Sequence, residues 1–370
     1  MELSDRSKSL EKVYSARNND ELTEGYDDWA KDYGQKNMKA YLRQKINQVF
    51  LKKEEIMTRF ISRIAIICII VFVFSVTLSA AGPDSCQKVH FSDVGWTDIT
   101  STTALTSVVL EGLGYKPKVT ILSVPVTFAS LKNKDIDIFL GLWLPSMAAD
   151  EKSYRDDGSV ERVRANLKGA KYTFAVPKYV YDAGIKNFAD IAKYKDKLDG
   201  KIYGIEPGND GNRLIQSMID KNAFGLGGWK LVESSEQGML SQVRRAERNK
   251  DWIVFLGWEP HPMNTNFKID YLAGGDDYFG PNLGGATVHT NVRKGYVKEC
   301  PNIGQLLKNL EFTLTMENQV MGMILDEGLE PNKAATQWLK KHPDVLAPWL
   351  KGVTTADGGD GLAAVRKYLK

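Results

Sequence analysis

Residues 89–122 have the sequence VHFSDVGWTDITSTTALTSVVLEGLGYKPKVTIL, and this stretch decides the fold class. Residues 89–94 predict a β-strand, residues 99–113 predict a helix that Gly114 ends, and residues 118–122 predict a second strand. A strand, a helix and a strand in this order form a unit with parallel strands. The stretch therefore predicts an α/β fold.

The same alternation continues along the chain. Further strands are predicted at residues 135–140, 172–176, 201–205 and 252–256, and further helices near residues 127–132, 211–221 and 235–249. Strands that alternate with helices are typical of parallel sheets covered by helices on both faces. We therefore expect mostly parallel sheets flanked by helices.

The composition excludes several classes of protein. The 370 residues are 43% apolar and 26% charged, which is typical of a folded chain of one or two domains. The 49 basic and 46 acidic residues are too evenly balanced for nucleic-acid binding. Only four His and three Cys are present, with no CxxC or HExxH spacing, so we predict no metal site.

An uncharged segment near the N-terminus governs the predicted location of the protein. Residues 64–81, IAIICIIVFVFSVTLSAA, follow basic residues and end in small ones, which is typical of a signal peptide over residues 57–81 that begins near Met57. The alternative is an uncleaved membrane anchor. Residues 1–56 are then an N-terminal extension that we do not expect in the mature protein. Either the true start is Met57 and these residues are a mis-called or fused segment, or they form a cytoplasmic arm before a signal anchor.

The predicted signal peptide limits how the three cysteines can pair. Cys68 leaves with the signal peptide, so Cys86 and Cys300 remain as the possible pair in an oxidising compartment. We expect a disulfide between them, closing a very long loop. Two free thiols are the alternative.

Aromatic residues gather where predicted strands end. Trp96 follows the strand at 89–94, Trp143 follows the strand at 135–140, and Trp258 follows the strand at 252–256. Ligands of open α/β sheets bind at the carboxyl ends of strands. Several aromatic faces directed at one point attract a weakly hydrated cation, above all a quaternary ammonium. The alternative for each ring is ordinary core packing.

Two polar residues near these turns have open interpretations. Asp98 provides either a carboxylate for a cation or the N-cap of the helix that follows it. Asn209, in the turn EPGNDGN at residues 206–212, either caps a helix or meets a polar end of a ligand.

Catalysis has weak support in the sequence. Glu259 and His261 lie close together, but no nucleophile motif and no second matched carboxylate accompanies them. The segment YDDWAKDY at residues 26–33 looks like the opening of some methyltransferases, without the glycine-rich cofactor loop expected after it. We predict a protein that is not an enzyme and has no cofactor, with a transferase linked to the N-terminal segment as the alternative.

At this point the chain is recognisable: from Cys86 onward it closely resembles the periplasmic choline-binding proteins of bacterial ABC importers, within the glycine betaine-binding family. The segments that carry the resemblance are FSDVGWTDIT, SLKNKDIDIFLG, DGKIYGIEPGNDGNRLI, VESSEQGML, IVFLGWEPHPMN and GGATVHTNV. One departure is Leu142, where the family commonly has a polar residue; we expect it to alter the rim of the cleft.

The resemblance implies a type II periplasmic binding protein with two lobes and the ligand in the cleft between them. The lobes are then residues 82–172 with 262–370 and residues 173–261. The resemblance also implies the Cys86–Cys300 disulfide and a ligand site in which four aromatic rings surround the trimethylammonium group, Asp98 lies near the cation and Asn209 meets the alcohol end. The four aromatic residues are Trp96, Trp143, Tyr172 and Trp258.

Charge favours choline over a betaine. Glycine betaine and proline betaine carry a carboxylate that the Asp98 carboxylate would repel, whereas choline has only a cation and a hydroxyl. Acetylcholine fits the same site and stays open. We therefore predict a monomeric periplasmic protein that delivers choline to an ABC permease and its ATPase in the inner membrane.

Overall fold

The computed structural model describes residues 84–370 together with Asp27, Arg43, Ile46 and Asn47. The predicted signal peptide, the apolar segment and almost all of the N-terminal extension lie outside the described residues. In the part of the chain that is described, no helix is both long enough and apolar enough to cross a membrane.

A single mixed sheet runs through the molecule. Its strands are β1 (Lys88–Asp93), β2 (Lys116–Ile121), β3 (Ile138–Leu144), β4 (Val160–Pro177), β5 (Lys201–Tyr203), β6 (Lys230–Val232), β7 (Phe255–Glu259), β8 (Ile269–Tyr271) and β9 (Gly285–Arg293). They lie in the order β2-β1-β3-β9-β4-β7-β5-β6, with β8 paired to β4.

Helices cover this sheet. Those of eight or more residues are α1 (Thr97–Gly112), α2 (Val124–Asn133), α3 (Ala148–Asp156), α4 (Asp210–Asp220), α5 (Glu236–Asn249), α6 (Pro301–Asn309), α7 (Leu314–Leu325), α8 (Pro331–Lys341) and α9 (Gly361–Tyr368). Short helical turns lie at Asp84–Cys86, Lys178–Asp182, Phe188–Ile191, Ala192–Tyr194, Ala223–Gly225, Met263–Asn266, Asp276–Phe279, Pro281–Gly284, Tyr296–Glu299, Pro343–Val345 and Leu346–Trp349.

Helix α1 is the central helix of the first lobe. Its segment Thr97–Leu110 is almost entirely buried, because α7, α8 and α9 pack around it. Helices that are buried all round need not be amphipathic, which explains a stretch rich in Thr and Ser as well as Val and Leu. Gly114 follows the helix at φ 89°, a conformation that glycine adopts without steric cost.

The strand directions confirm the α/β class and correct one detail. Strands β2, β1 and β3 are parallel, as are β6, β5 and β7. The centre of the sheet is antiparallel, since β9 pairs with β3 and β4, and β7 pairs with β4. The reason is that β4 carries the chain out of the first lobe and β9 carries it back.

The segment after β7 contacts residues 175–188 of the predicted second lobe, although the sequence analysis assigns residues from 262 onward to the first lobe. Strand β8 pairs with the end of β4, and Ala273 bridges to Asn187. The Phe279 ring lies edge-on to the Phe188 ring at 6.0 Å. The lobe boundaries stay a prediction.

Cys86 and Cys300 form a disulfide with a Cα–Cα distance of 5.6 Å. It joins the segment before β1 to the start of α6, 214 residues further along the chain. Both cysteines are buried. The disulfide therefore ties the two sequence segments of the first lobe together.

Candidate ligand-binding site

A small cavity lies between the lobes, where the turn after β1 and the strands β3, β4 and β7 present aromatic side chains. The side chains that line it are Trp96, Asp98, Trp143, Tyr172, Ile205, Asn209, Asp210 and Trp258. The structure thus brings all six predicted ligand-site residues to one cavity, and their contacts with a ligand stay a prediction.

The four aromatic residues come from four different elements. Trp96 is the residue before α1, as expected for a turn after β1. Trp143 and Trp258, by contrast, lie inside β3 and β7 and not in turns after strands. Their strands continue beyond Gly141 and Gly257 because Trp143 pairs with Val288 of β9 and Trp258 pairs with Tyr172 of β4.

The rings meet at steep angles, so they form walls and do not stack on each other. Tyr172 is central: its ring centroid lies 6.0 Å from that of Trp143 at 60° and 6.3 Å from that of Trp258 at 81°. All four aromatic residues are buried. This arrangement presents several π surfaces to one enclosed volume, where a desolvated cation gains most from each ring.

Leu142 does not lie at the rim of the cleft, contrary to the expectation from the sequence. It is fully buried in β3, next to Trp143. Successive residues of a strand point to opposite faces of the sheet. Leu142 therefore packs into the core on the face away from the cavity.

Asp98 lies at the base of the aromatic cavity and is only 1% exposed. Its Oδ2 accepts a hydrogen bond from Trp143 Nε1 at 3.1 Å, while its Oδ1 has no partner. Burial and the nearby Glu236 carboxylate raise the pKa of Asp98 to about 8. Asp98 does not cap α1, since the helix already begins at Thr97. A buried carboxylate with a free oxygen is suited to attract a cation or to accept from a hydroxyl.

Asn209 caps a helix and also lines the cavity, while its contact with a ligand stays a prediction. Its Oδ1 accepts from the backbone N–H of Asn212 at 3.1 Å, which caps α4, and also from the Tyr172 hydroxyl at 3.1 Å. The helix cap thereby positions Asn209 at the cavity wall. Burial raises the pKa of Tyr172 well above its usual value, so its hydroxyl remains a donor.

Gly211 allows Tyr172 to reach this position. A Cβ atom at residue 211 would lie 2.0 Å from the Tyr172 hydroxyl oxygen and 2.8 Å from Leu256 Cδ1. The residue must therefore lack a side chain because a ring of the site packs directly against its backbone.

Bonds between the lobes surround the cavity. Trp96 Nε1 of the first lobe donates to Glu206 Oε1 at 2.6 Å. Glu206 lies in the turn before α4 of the second lobe, so this bond fixes the Trp96 ring across the cleft. At the rim, the Arg213 guanidinium contacts both Asp150 carboxylate oxygens, at 2.6 and 3.3 Å, and Arg213 also donates to the Ser146 carbonyl at 3.0 Å. These contacts join the two lobes across the cleft.

Sequence reasoning missed Asp210, Glu206 and Ile205 as site residues. All three lie in or beside the turn at residues 206–212, which attracted attention only for Asn209 and for helix capping. The available signal was a pair of carboxylates in a turn at a strand end.

Among the described residues, no group of three or more His, Cys, Asp or Glu side chains is arranged to hold a metal ion.

The fold and this cavity define a class: a two-lobed α/β binding protein that closes on a small ligand. The family model for the substrate-binding domain of ABC-type glycine betaine transport systems matches residues 87–341. The chain belongs to this family.

The chain resembles two solved binding proteins and one uncharacterised curated protein. An ABC-transporter choline-binding protein in complex with choline is 65% identical, with a TM-score of 0.77 over 78% of this chain and 100% of that one. Lactococcal OpuAC in a closed conformation with glycine betaine is 27% identical, with a TM-score of 0.64 over 71% of this chain and 98% of that one. An uncharacterised protein of Chromohalobacter salexigens is 53% identical over 143 residues, 39% of this chain and 92% of that protein.

Proposed function

We propose that this protein captures choline in the aromatic cavity and delivers it to an ABC permease and its ATPase. The observation that carries the proposal is the composition of the cavity wall. Four aromatic rings and two buried carboxylates line it, and no Lys or Arg is among the lining residues. Such a wall favours a small organic cation.

The hydrogen bonds of the wall favour choline over a betaine. The side-chain donors of Trp96, Trp143 and Tyr172 are already bonded to protein acceptors. The buried side-chain atoms of the wall that lack a partner are both acceptors, Asp98 Oδ1 and Asp210 Oδ2. A ligand carboxylate needs donors and would meet like charge, whereas the choline hydroxyl supplies a donor. The 65% identity to a choline-binding protein, against 27% to a glycine betaine complex, supports the same choice.

The lobes close on the ligand as a hinged clamp, with β4 and β9 as the connecting strands. The pairing of β4 with β7 from Lys171 onward and the contacts of β8 support a second lobe that extends from about residue 171 to Gly284. The first lobe then comprises residues 84–170 and 285–370. Trp96 and Trp143 belong to the first lobe, Trp258 to the second, and Tyr172 to the crossing strand.

The protein works in the periplasm, as a monomer and without catalysis. Membership of a substrate-binding family of ABC-type transport systems supports this location and the permease partner. The signal peptide over residues 57–81 remains a prediction of the sequence. No step in this function requires a cofactor.

Calorimetric titration with choline, acetylcholine and glycine betaine tests the proposal. We expect tight choline binding and weak or absent betaine binding. Trp258→Ala should weaken choline binding about tenfold or more, because a ring worth about 0.5–2 kcal/mol and its packing are lost. Trp252→Ala is the matched control, since Trp252 lies outside the cavity. Undiminished choline affinity in Trp258→Ala would refute the aromatic site, and preferential betaine binding would refute the ligand assignment.

A further inference from the structure

Asp210 is a second carboxylate of the cavity, beyond the six ligand-site residues predicted from the sequence. It lines the same wall as Tyr172 and Asn209 and is 0% exposed. Its Oδ1 accepts from Asn209 Nδ2 at 3.1 Å, whereas its Oδ2 accepts no hydrogen bond of ordinary geometry and has only the Ser146 hydroxyl nearby as a weak donor. A buried acceptor without a partner is unfavourable in the absence of a ligand.

The start of α4 does not require this carboxylate. Asn209 already caps the helix through the backbone N–H of Asn212. An acidic side chain in the first turn stabilises a helix modestly, and it does so from the surface without losing its hydration. Full burial of Asp210 therefore calls for a second explanation.

The electrostatic surroundings of Asp210 do not neutralise it fully. Burial raises the pKa of Asp210 to about 7 and Asp150 adds to this effect, whereas the Ser146 hydroxyl and Arg213 oppose it. Arg213 is itself engaged by both oxygens of Asp150. Near neutral pH, Asp210 thus gains much by meeting a positive charge or a hydroxyl donor.

We infer that Asp210 is a second anionic contact of the ligand, on the lobe across the cleft from Asp98. Through this contact Asp210 selects hydroxyl-bearing cations over ligands that carry a carboxylate. This inference rests on the proposed function. Asp98 approaches from α1 of the first lobe and Asp210 from α4 of the second. A ligand that satisfies both free oxygens holds the two lobes together, and a ligand carboxylate on the Asn209 side would face the Asp210 charge.

Asp210→Asn tests the inference, because asparagine keeps the shape and retains an acceptor for Asn209. At pH 8 we expect the choline Kd to rise about tenfold, equivalent to about 1.4 kcal/mol, while the glycine betaine Kd stays constant or falls. The Tm of the ligand-free protein should stay constant or rise, because an unpartnered buried charge is removed. A purely structural role predicts the reverse, a lower Tm with an unchanged ratio of the two affinities.

Asp220→Asn is the matched control, since Asp220 ends the same helix on the surface and bonds only to Gln216 in the described contacts. Asp210→Ser serves as the second variant if Asp210→Asn does not fold, with the same expected change in the ratio. An unchanged ratio in a folded variant, with tight choline binding by the wild type, overturns this inference alone. A wild-type protein that binds no choline overturns the proposed function and this inference together.

Discussion

Glu236 of the second lobe caps the central helix of the first lobe through Thr97, 139 residues away in the sequence. Its Oε2 accepts from the Thr97 backbone N–H at 2.9 Å, and its Oε1 accepts from the Thr97 hydroxyl at 2.6 Å. A carboxylate at a helix N-terminus satisfies unpaired N–H groups and interacts favourably with the helix dipole. In the closed cleft, one lobe thereby completes a helix of the other.

The same carboxylate connects this cap to the aromatic site. His261 Nδ1 accepts from the Met263 N–H at 2.9 Å, so the neutral ring carries its hydrogen on Nε2, 3.2 Å from Glu236 Oε1. The His261 ring also lies edge-on to Trp258 at 4.9 Å. In the sequence, Glu259 and His261 are the candidate acid–base pair. The contacts of His261 lie within the second lobe, where its ring contacts the Glu236 carboxylate that caps α1.

We predict that Glu236→Gln weakens choline binding by lowering the stability of the closed form. Hydrogen bonds to a charged group contribute about 1.5–3 kcal/mol each, so loss of the charge should raise the choline Kd about tenfold or more. Calorimetry measures the affinity, and small-angle scattering with and without choline measures closure. Glu247→Gln is the control, because Glu247 on the same helix bonds to Lys268 within the second lobe. Normal closure and normal affinity in Glu236→Gln would contradict the prediction.

The buried carboxylate of Asp98 predicts that choline affinity rises with pH. Its pKa is raised to about 8 by burial and by Glu236, so the free site holds a proton at neutral pH that a bound cation displaces. We expect affinity to increase from pH 6 and to level off above about pH 8.5, by about tenfold or more in total. Titrations in buffers of different ionisation enthalpy measure the proton release. Asp98→Asn should bind more weakly, with a flatter profile, and an equally steep profile in this variant would contradict the assignment.

The same raised pKa has the opposite effect on the stability of the free protein. An unfolded Asp has a pKa near 3.9, so between about pH 4 and 8 the folded protein holds the proton more tightly. The free energy of unfolding contributed by Asp98 therefore falls as the pH rises through this range. This contribution is measured by urea unfolding of the ligand-free protein across these pH values, compared with the Asp98→Asn variant. A contribution that grows with pH would contradict the raised pKa.

Much of the fold was predictable because its signals are local. The alternation of strand, helix and strand over residues 89–122 is confirmed by β1, α1 and β2, with bounds that differ by about two residues. The first part of β4 and the continuation of β3 past Gly141 were missed. Both depend on pairing with β9, which is more than a hundred residues away in the sequence, and no local pattern contains that information.

The site shows the same division between local and distant information. The aromatic residues were found because tryptophans beside strand ends are conspicuous, although Trp143 and Trp258 proved to lie within their strands. The alternatives for Asp98 could not be resolved locally, because the group that caps α1 is Glu236. Asp210 was passed over because an Asp in a turn before a helix has an ordinary explanation.

We predict that loss of the Cys86–Cys300 disulfide strongly lowers the stability of the protein and leaves its choline affinity unchanged. Cys86 and Cys300 are separated by 214 residues, so their link restricts a long loop in the unfolded chain. Replacing both by Ser should lower the free energy of unfolding by about 2–5 kcal/mol in urea titrations. Neither cysteine lines the cavity, so the choline Kd of the folded variant should equal that of the wild type. A changed Kd at unchanged stability would show that the link acts on the site.

We predict that Gly211→Ala weakens choline binding and that adding Tyr172→Phe partly restores it. The new Cβ atom would lie 2.0 Å from the Tyr172 hydroxyl oxygen and 2.8 Å from the ring carbon that carries it, so the ring must leave its place between Trp143 and Trp258. We expect the choline Kd to rise at least tenfold, since one wall of the cavity is displaced. Tyr172→Phe alone loses only the hydrogen bond to Asn209 and should have the smaller effect. In the double variant the closest clash is gone, so its Kd should be lower than that of Gly211→Ala, a coupling that a double-mutant cycle measures. Strictly additive effects would mean that residue 211 acts on binding without displacing Tyr172.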